Sequence, residues 1–463
     1  MNWNLLGIFA WIAVQLGIGV WASRKVRTEE DYLVAGRSLG YPMATATIFA
    51  TWFGAESCIG AAGQAASGGL SATSADPFGY ALCLLLMGTF LARPLWRHKL
   101  RTIADLYRQR YGEAAEKAAV LVMVPTSVLW AAAQIRAFGQ VLGASSSLEV
   151  HVTIAIAALI VIAYTMVGGM LADAYTDFIQ GGALLFGLVL LGVKAWGADS
   201  APNLADTIGR ASFFNAERSW LEAADGWAVP VMGSLVAAEL VSRVSSSRSA
   251  DVAQRSSWLA SALYLGVGLI PVSIGLAAAD LVGPLDDPEQ VLIVAAQRYL
   301  PGALSVVFAG ALVSAILSTV DSALLSAGAL FGHNVLAPLL GVRDEAGRLR
   351  LDRRCVVGFG VLAWAIAESS EGVYALVEMA SSLGTSGLFV LTVAALLPWR
   401  RGGRWTALLT IATGLAVFLV GDLLGAYEGP FVLSLAAAAL VFGLGCALEA
   451  APPEVALDAE EAA

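Results

Sequence analysis

Charge is scarce in this 463-residue chain: 14% of its residues are Asp, Glu, Lys or Arg, whereas 58% are hydrophobic and the mean hydropathy is +0.73. Soluble domains carry roughly 25% charged residues, so an ordinary soluble class is excluded. Cysteine is also sparse. Cys58, Cys83, Cys355 and Cys446 are scattered through apolar surroundings, which rules out a disulfide framework and paired thiolate ligands. The three histidines, His98, His151 and His333, lie far apart and argue against a zinc or haem site. No basic domain exists, and the net charge of −9 gives nucleic acid nothing to bind. Also missing are a GxxxxGK[ST] run for ATP and any nucleophile–base pair, so neither enzyme activity nor an organic cofactor is expected.

What the chain has instead is apolar length. A helix needs about 20 apolar residues to cross a bilayer. The sequence divides into about thirteen such segments, near 3–22, 41–66, 76–96, 118–145, 150–167, 174–197, 227–243, 256–281, 303–332, 355–369, 375–398, 405–427 and 429–448. The 48 glycines and 13 tryptophans fit an all-α integral membrane protein, with lipid as its surroundings. Arg24, Lys25 and Arg27 follow the first apolar stretch instead of preceding it, so it reads as a span and the N-terminus as outside. Alternating from there, the inner connections collect the basic clusters around residues 24–37, 93–117, 243–255, 343–354 and 400–404. The outer ones hold Arg210, Arg218 and Arg298. This bias predicts a multi-pass protein of the inner (plasma) membrane with a cytoplasmic C-terminus. Residues 1–450 form one transmembrane domain. The acidic segment 451–463 reads as a disordered cytoplasmic tail, and 284–300 as a short amphipathic helix on the outer surface.

Lipid satisfies no free carbonyl, so a broken helix survives only where protein, water or an ion replaces the lost bonds. The second span has Gly54, Ser57 and Gly60 in its middle beside Glu56, and the seventh has Pro230, Gly233 and Ser234 ahead of Glu239. Their spacing of five spans is that of an inverted five-helix repeat, about 41–197 and 227–398, whose first helices meet at the midplane. Packing of small residues would produce the same local composition. The ninth span, with Ser314, Ser318, Thr319, Ser322 and Ser326 near Asp321, is an oxygen-rich strip suited to an alkali cation or to hydroxyls bonding the preceding turn. Charged residues inside spans are functional suspects: Glu56, Arg136, Asp177, Glu239 and Asp321, with Asp173, Glu368, Glu378 and Asp422 nearer the interfaces and read as solvated helix ends. Arg136 pairs with Glu56 or Glu239 in one reading and meets an anionic substrate in another.

The motifs DYLVAGRSLG (31–40), GGMLADAYTDFIQG (168–181) and SAILSTVDSALLS (314–326) resemble those of the sodium:solute symporter family, and the resemblance covers nearly the whole chain. It implies the leucine-transporter-type inverted-repeat fold, with one helix before the ten core helices and two after. It also implies one sodium ion held by carbonyls of Ala50, Phe53 and Ala315 and hydroxyls of Ser318 and Thr319, with Asp177 and Asp321 along the ion route. Gly54, Glu56 and Ser57 fall at substrate-facing positions of the family. TATWFGAES-like sequence near 47–57, DPFGYALCLLLMGTFLARP (76–94), LWAAAQIRAFG (129–139) and SRVSSS (242–247) are most similar to the choline-carrier branch. There Trp130 matches one wall of an aromatic cage. The opposite wall is absent, with Ala237 in its place and Glu239 two residues later.

Three functions stand open at this stage. Sodium-driven uptake of a small organic solute, such as an amine, amino acid or other metabolite, is preferred. Proton-coupled transport through Glu56, Glu239 or Asp177 is the first alternative, and a solute sensor or channel without coupled flux the second. Oligomeric state is not legible.

Overall fold

The computed structural model describes residues 3–449 except 145, 147, 211, 213–217, 371 and 398–401, so the expected tail at 451–463 lies outside the described residues. Helices make up the bundle, and among the described residues extended pairing is confined to one bridge, Leu39 with Ser247.

The helices are α1 (Trp3–Ser23), α2 (Tyr41–Trp52), α3 (Ala61–Gly68), α4 (Leu70–Arg97), α5 (Ala104–Tyr111), α6 (Glu113–Ala144), α7 (Val150–Trp196), α8 (Trp220–Val236), α9 (Ala238–Ser245), α10 (Ala250–Leu276), α11 (Val291–Tyr299), α12 (Gly302–Phe331), α13 (Glu345–Ser369), α14 (Val373–Ser382), α15 (Thr385–Leu396), α16 (Arg404–Leu424) and α17 (Pro430–Leu448). Among the described residues, seven helical stretches are long and apolar enough to cross a membrane unaided. The pairs α8/α9 and α14/α15 qualify when each is taken as one span bent by 48° and 45°. The other expected spans are helical for identifiable reasons. α1 and the first arm of α7 have shorter apolar cores, α2/α3 is broken, and α13 begins at Glu345, ten residues before the apolar run, on the charged sequence that reads as a loop.

α12 is the centre of the bundle. Every residue from Gly310 to Leu330 is buried, which explains why its sequence is apolar all round rather than along one face. It packs on α6, α7, α13 and α1. α7 bends at Gly169, whose φ of +72° only glycine adopts freely; a Cβ there would lie 2.4 Å from the Tyr32 ring of the short helix Glu29–Val34 docked in the bend. α8 touches α14 almost backbone to backbone, since a Cβ on Gly233 would sit 2.1 Å from the Ser381 carbonyl oxygen. The amphipathic segment is helical as α11 and buries Val291, Leu292, Ala295 and Ala296 against its neighbours. The break between α14 and α15, at Leu383 and left-handed Gly384, had no counterpart in the sequence reading.

Candidate ion and solute site

The second span stops being an α-helix where the sequence places glycine. Phe53 closes α2 with φ −96° and ψ 72°, and a widened turn, Glu56–Gly60, restarts the helix into α3. Gly54 is at the crowded point. A Cβ on it would lie 2.6 Å from Glu56 Oε2, 2.7 Å from Thr319 Oγ1 and 3.0 Å from Gln134 Oε1, so only glycine lets these oxygens approach. The seventh span breaks at Ala237, which is extended (φ −60°, ψ 132°) between α8 and α9.

All five residues of the implied sodium cradle are buried, Ala50, Phe53, Ala315, Ser318 and Thr319. The Thr319 hydroxyl donates to the Ala315 carbonyl at 3.1 Å and reaches the Ala50 carbonyl of the broken helix at 3.5 Å. The end of α2 and the middle of α12 therefore share a cluster of hard oxygens, the donor type that suits an alkali cation. The Ser318 hydroxyl donates to Asp177, which also takes the Thr47 hydroxyl; a hydroxyl that gives its proton away still offers oxygen lone pairs to a cation. Asp321 is buried beside this cluster, and its Oδ1 has no hydrogen-bond partner among the described residues.

Arg243 corrects the sequence reading. Counted there with an inner loop, it is fully buried on α9, donates to Thr51 at 2.8 Å and to Asp173 and Ser322, and lies 4.0 Å from Asp177. Asp173 is accordingly not a solvated helix end but the buried partner of this guanidinium. The bilayer side of the chain hid the pair, because both residues sit at the ends of apolar runs and 70 residues apart. The expected pairing of Arg136 is also replaced. Its guanidinium donates to the Ala367 carbonyl at 3.1 Å, while Glu56 accepts from the Gln134 amide at 2.6 Å and Glu239 from the Ser127 hydroxyl at 2.5 Å.

The substrate-facing candidates divide between two spaces. Glu56 forms part of the lining of a vestibule of about 380 Å³ together with Tyr80, Tyr374, Glu289, Glu378 and Arg218, at the end of the bundle where α3 meets α4 and α13 meets α14. Burial pushes the carboxyl of Glu289, on the loop before α11, upward despite the Gln140 amide at 3.5 Å. Trp130 and Glu239 instead border a gap of about 10 Å³ beside Ala237, enough for about one water. Tyr80 joins the two spaces, its ring 6.4 Å from Trp130, which in turn meets Trp52 at 5.2 Å. Ser57 points away from both. It donates to Asp76 at 2.8 Å, and Tyr264 donates to the same carboxylate oxygen at 2.9 Å. Asp76, Gln134, Tyr264 and Trp52 escaped the sequence reading; an acid inside an apolar run, as at Asp76, was the available signal for one of them.

At the opposite end the bundle is shut by a polar network. Glu29 accepts from Arg101 at 2.6 Å, His333 bridges Glu29 (2.9 Å) and Asp105 (3.6 Å), and Asn334 donates to Asp105 and Glu116, both at 2.8 Å. Burial works against ionised Asp105, but His333, the Thr102 backbone and Asn334 outweigh it and bring its pKa down to about 2.

With this geometry in view, the sequence model of the Sodium:solute symporter family matches residues 32–414. The chain belongs to that family. It is 29% identical over 399 residues to the high-affinity choline transporter 1 of Drosophila melanogaster, over 82% of this chain and 64% of the fly protein. The human high-affinity choline transporter 1 is 28% identical over 411 residues, 82% of this chain and 70% of that one. The symporter-family chain thus spans less than two thirds of the fly relative's length. Among solved structures, an outward-open, substrate-bound Na+-coupled sialic acid symporter superposes with a TM-score of 0.85 at 16% identity, over 98% of this chain and 99% of that one. A nucleobase-cation-symport-1 family transporter in a closed conformation superposes at 0.62 and 16% identity, over 89% and 92%. The fold of this family member is the leucine-transporter-type inverted repeat, with α2/α3 and α8/α9 as its two interrupted helices.

Proposed function

We propose that this chain is a sodium-coupled symporter that takes up a small organic solute by alternating access. The observation that carries the proposal is the junction of α2 and α12, where the Thr319 hydroxyl lies between the Ala315 and Ala50 carbonyls at an interrupted helix. Sodium held there would tie the end of α2 to α12, and solute entering the vestibule would meet Glu56 just beyond the same break. Repeats at about 41–197 and 227–398, each opening with an interrupted helix, supply the two bodies that rock about this point. The relatives' names favour an amine among possible solutes. The orientation we propose has the vestibule outside and the network end in the cytoplasm, with a plasma-membrane location.

The energetics suffice. One sodium ion crossing about 100 mV supplies roughly 2.3 kcal/mol, and a tenfold gradient adds about 1.4 kcal/mol, together on the order of 500-fold accumulation of a neutral solute. Uptake into proteoliposomes tests the proposal: replacing sodium by potassium should abolish it, and undiminished uptake would refute sodium coupling. Ser318→Ala with Thr319→Ala should raise the sodium concentration for half-maximal uptake at least tenfold, as measured by titration; an unchanged value would remove these hydroxyls from the ion shell. Proton coupling is the second reading, favoured by three buried carboxylates, Asp173, Asp177 and Asp321, around the single guanidinium of Arg243. Uptake driven by a pH gradient without sodium would establish it.

A further inference from the structure

The Glu56 carboxylate is 1% exposed, borders the vestibule, and uses only one of its oxygens: Oε2 accepts from Gln134, while Oε1 has no hydrogen-bond partner among the described residues. The Gln134 amide donates to it, and among the described residues no cationic side chain is bonded to this carboxyl at the vestibule floor. Asp76 stands behind it, joined to it through the adjacent Ser57, and also keeps one unpartnered oxygen, Oδ1. Buried charges persist when something of opposite sign joins them. A cationic solute entering the vestibule would bring the opposite charge to an ionised Glu56.

The remaining walls narrow its chemistry. Glu289 and Glu378 line the vestibule with Arg218 as the cation among the lining residues, a balance that repels anions. Tyr80 and Tyr374 line the same space, and Trp130 lies 6.4 Å from the Tyr80 ring. We infer that Glu56 selects a protonated amine bearing N–H donors over a fully methylated ammonium, because an N–H on the charged nitrogen brings charge and donor to Oε1 together and a methylated nitrogen brings charge alone. A trimethylammonium carries the same charge but offers no donor, and sites built to hydrogen-bond a substrate discriminate strongly against analogues that cannot respond.

This inference rests on the symport reading, and the test separates the two. Thermal shift and competition binding on the purified full-length protein compare ethanolamine with choline, which share a hydroxyethyl arm and differ in the nitrogen substituents, each in sodium and in potassium. In sodium, ethanolamine should bind at least tenfold tighter than choline. Glu56→Gln should weaken ethanolamine at least tenfold and choline less than threefold, removing the preference. Glu56→Asp, which keeps the charge and shortens the arm, should retain the preference with weaker binding, and guards against a Gln variant that fails to fold. Equal or tighter binding of choline, no binding of either amine, or an unchanged ratio in both variants would overturn the inference. Binding of ethanolamine that is indifferent to sodium would leave this selectivity standing and would refute the symport reading instead.

Discussion

The two ends of the bundle are built on opposite principles. At one end a cavity of about 380 Å³ runs in to Glu56, and its rim cation, Arg218, is exposed and donates to the Ser71 carbonyl at 3.3 Å. At the other, charged side chains are buried and mutually bonded, from the Glu29–Arg101–His333–Asp105 network to Arg243 between Asp173 and Thr51, and the gap near Ser326 measures about 20 Å³. Hydrophobic packing holds both ends to the core; among the described residues the ion pairs at the network end are buried, whereas His151 with Glu368, at the other end, is an exposed contact. Such pairs are strong while buried and lose most of their value once water reaches them, which suits a closure that must also open. The molecule is therefore in a state open at the vestibule and closed at the network.

The largest test of this contrast sets one arginine against the other. Arg243→Ala strips the partner from buried Asp173 and should cost about 3–5 kcal/mol, enough to lower the melting temperature severely, whereas Arg218→Ala should stay within about 0.5 kcal/mol. Similar melting temperatures for the two variants would mean that the ends do not differ as described. Acid sharpens the contrast further. Asp105 has its pKa lowered in the folded state to about 2 from an ordinary 3.8, so its contribution is complete above about pH 4 and is lost as the pH falls toward 2. Over that window about 2 kcal/mol should disappear, and Asp105→Asn should remove this part of the loss in thermal unfolding measured against pH. A smaller effect is kinetic. With Cys446 changed to Ser, a cysteine at Gln64 should react with a water-soluble maleimide at least tenfold faster than one at Ser326 in sodium, and Asp105→Asn should narrow the ratio. Equal rates would show that the two ends are equally accessible and would remove the contrast.

Much of the architecture was legible because lipid imposes one rule on every span: length and apolarity must suffice, and departures must be explained. That rule placed a break at Gly54 and another in the seventh span, though at residues 230–234 instead of at Ala237, where the chain is extended, while the candidate cradle came from the family resemblance. The rule failed where charge is buried by tertiary contact. Arg243 and Asp173 look like loop and interface residues in one dimension, and only the fold brings α9 against α7. Gln134, neutral and inside a long helix, carried no signal that it would bind both Glu56 and the backbone of Ala55. α14/α15 was missed because Gly384 has small-residue neighbours that read as ordinary packing, and α13 was begun too late because its charged first turns continue a helix beyond the apolar run.

The near-contact of Gly233 with the Ser381 carbonyl gives α8 and α14 a shared fate. No side chain stands between the backbones at Gly233 itself, and next to it the Ser234 hydroxyl donates to the Ser381 hydroxyl at 3.4 Å, so separating the two helices would open a gap and break that bond. A displacement of the interrupted helix would therefore carry its neighbour with it.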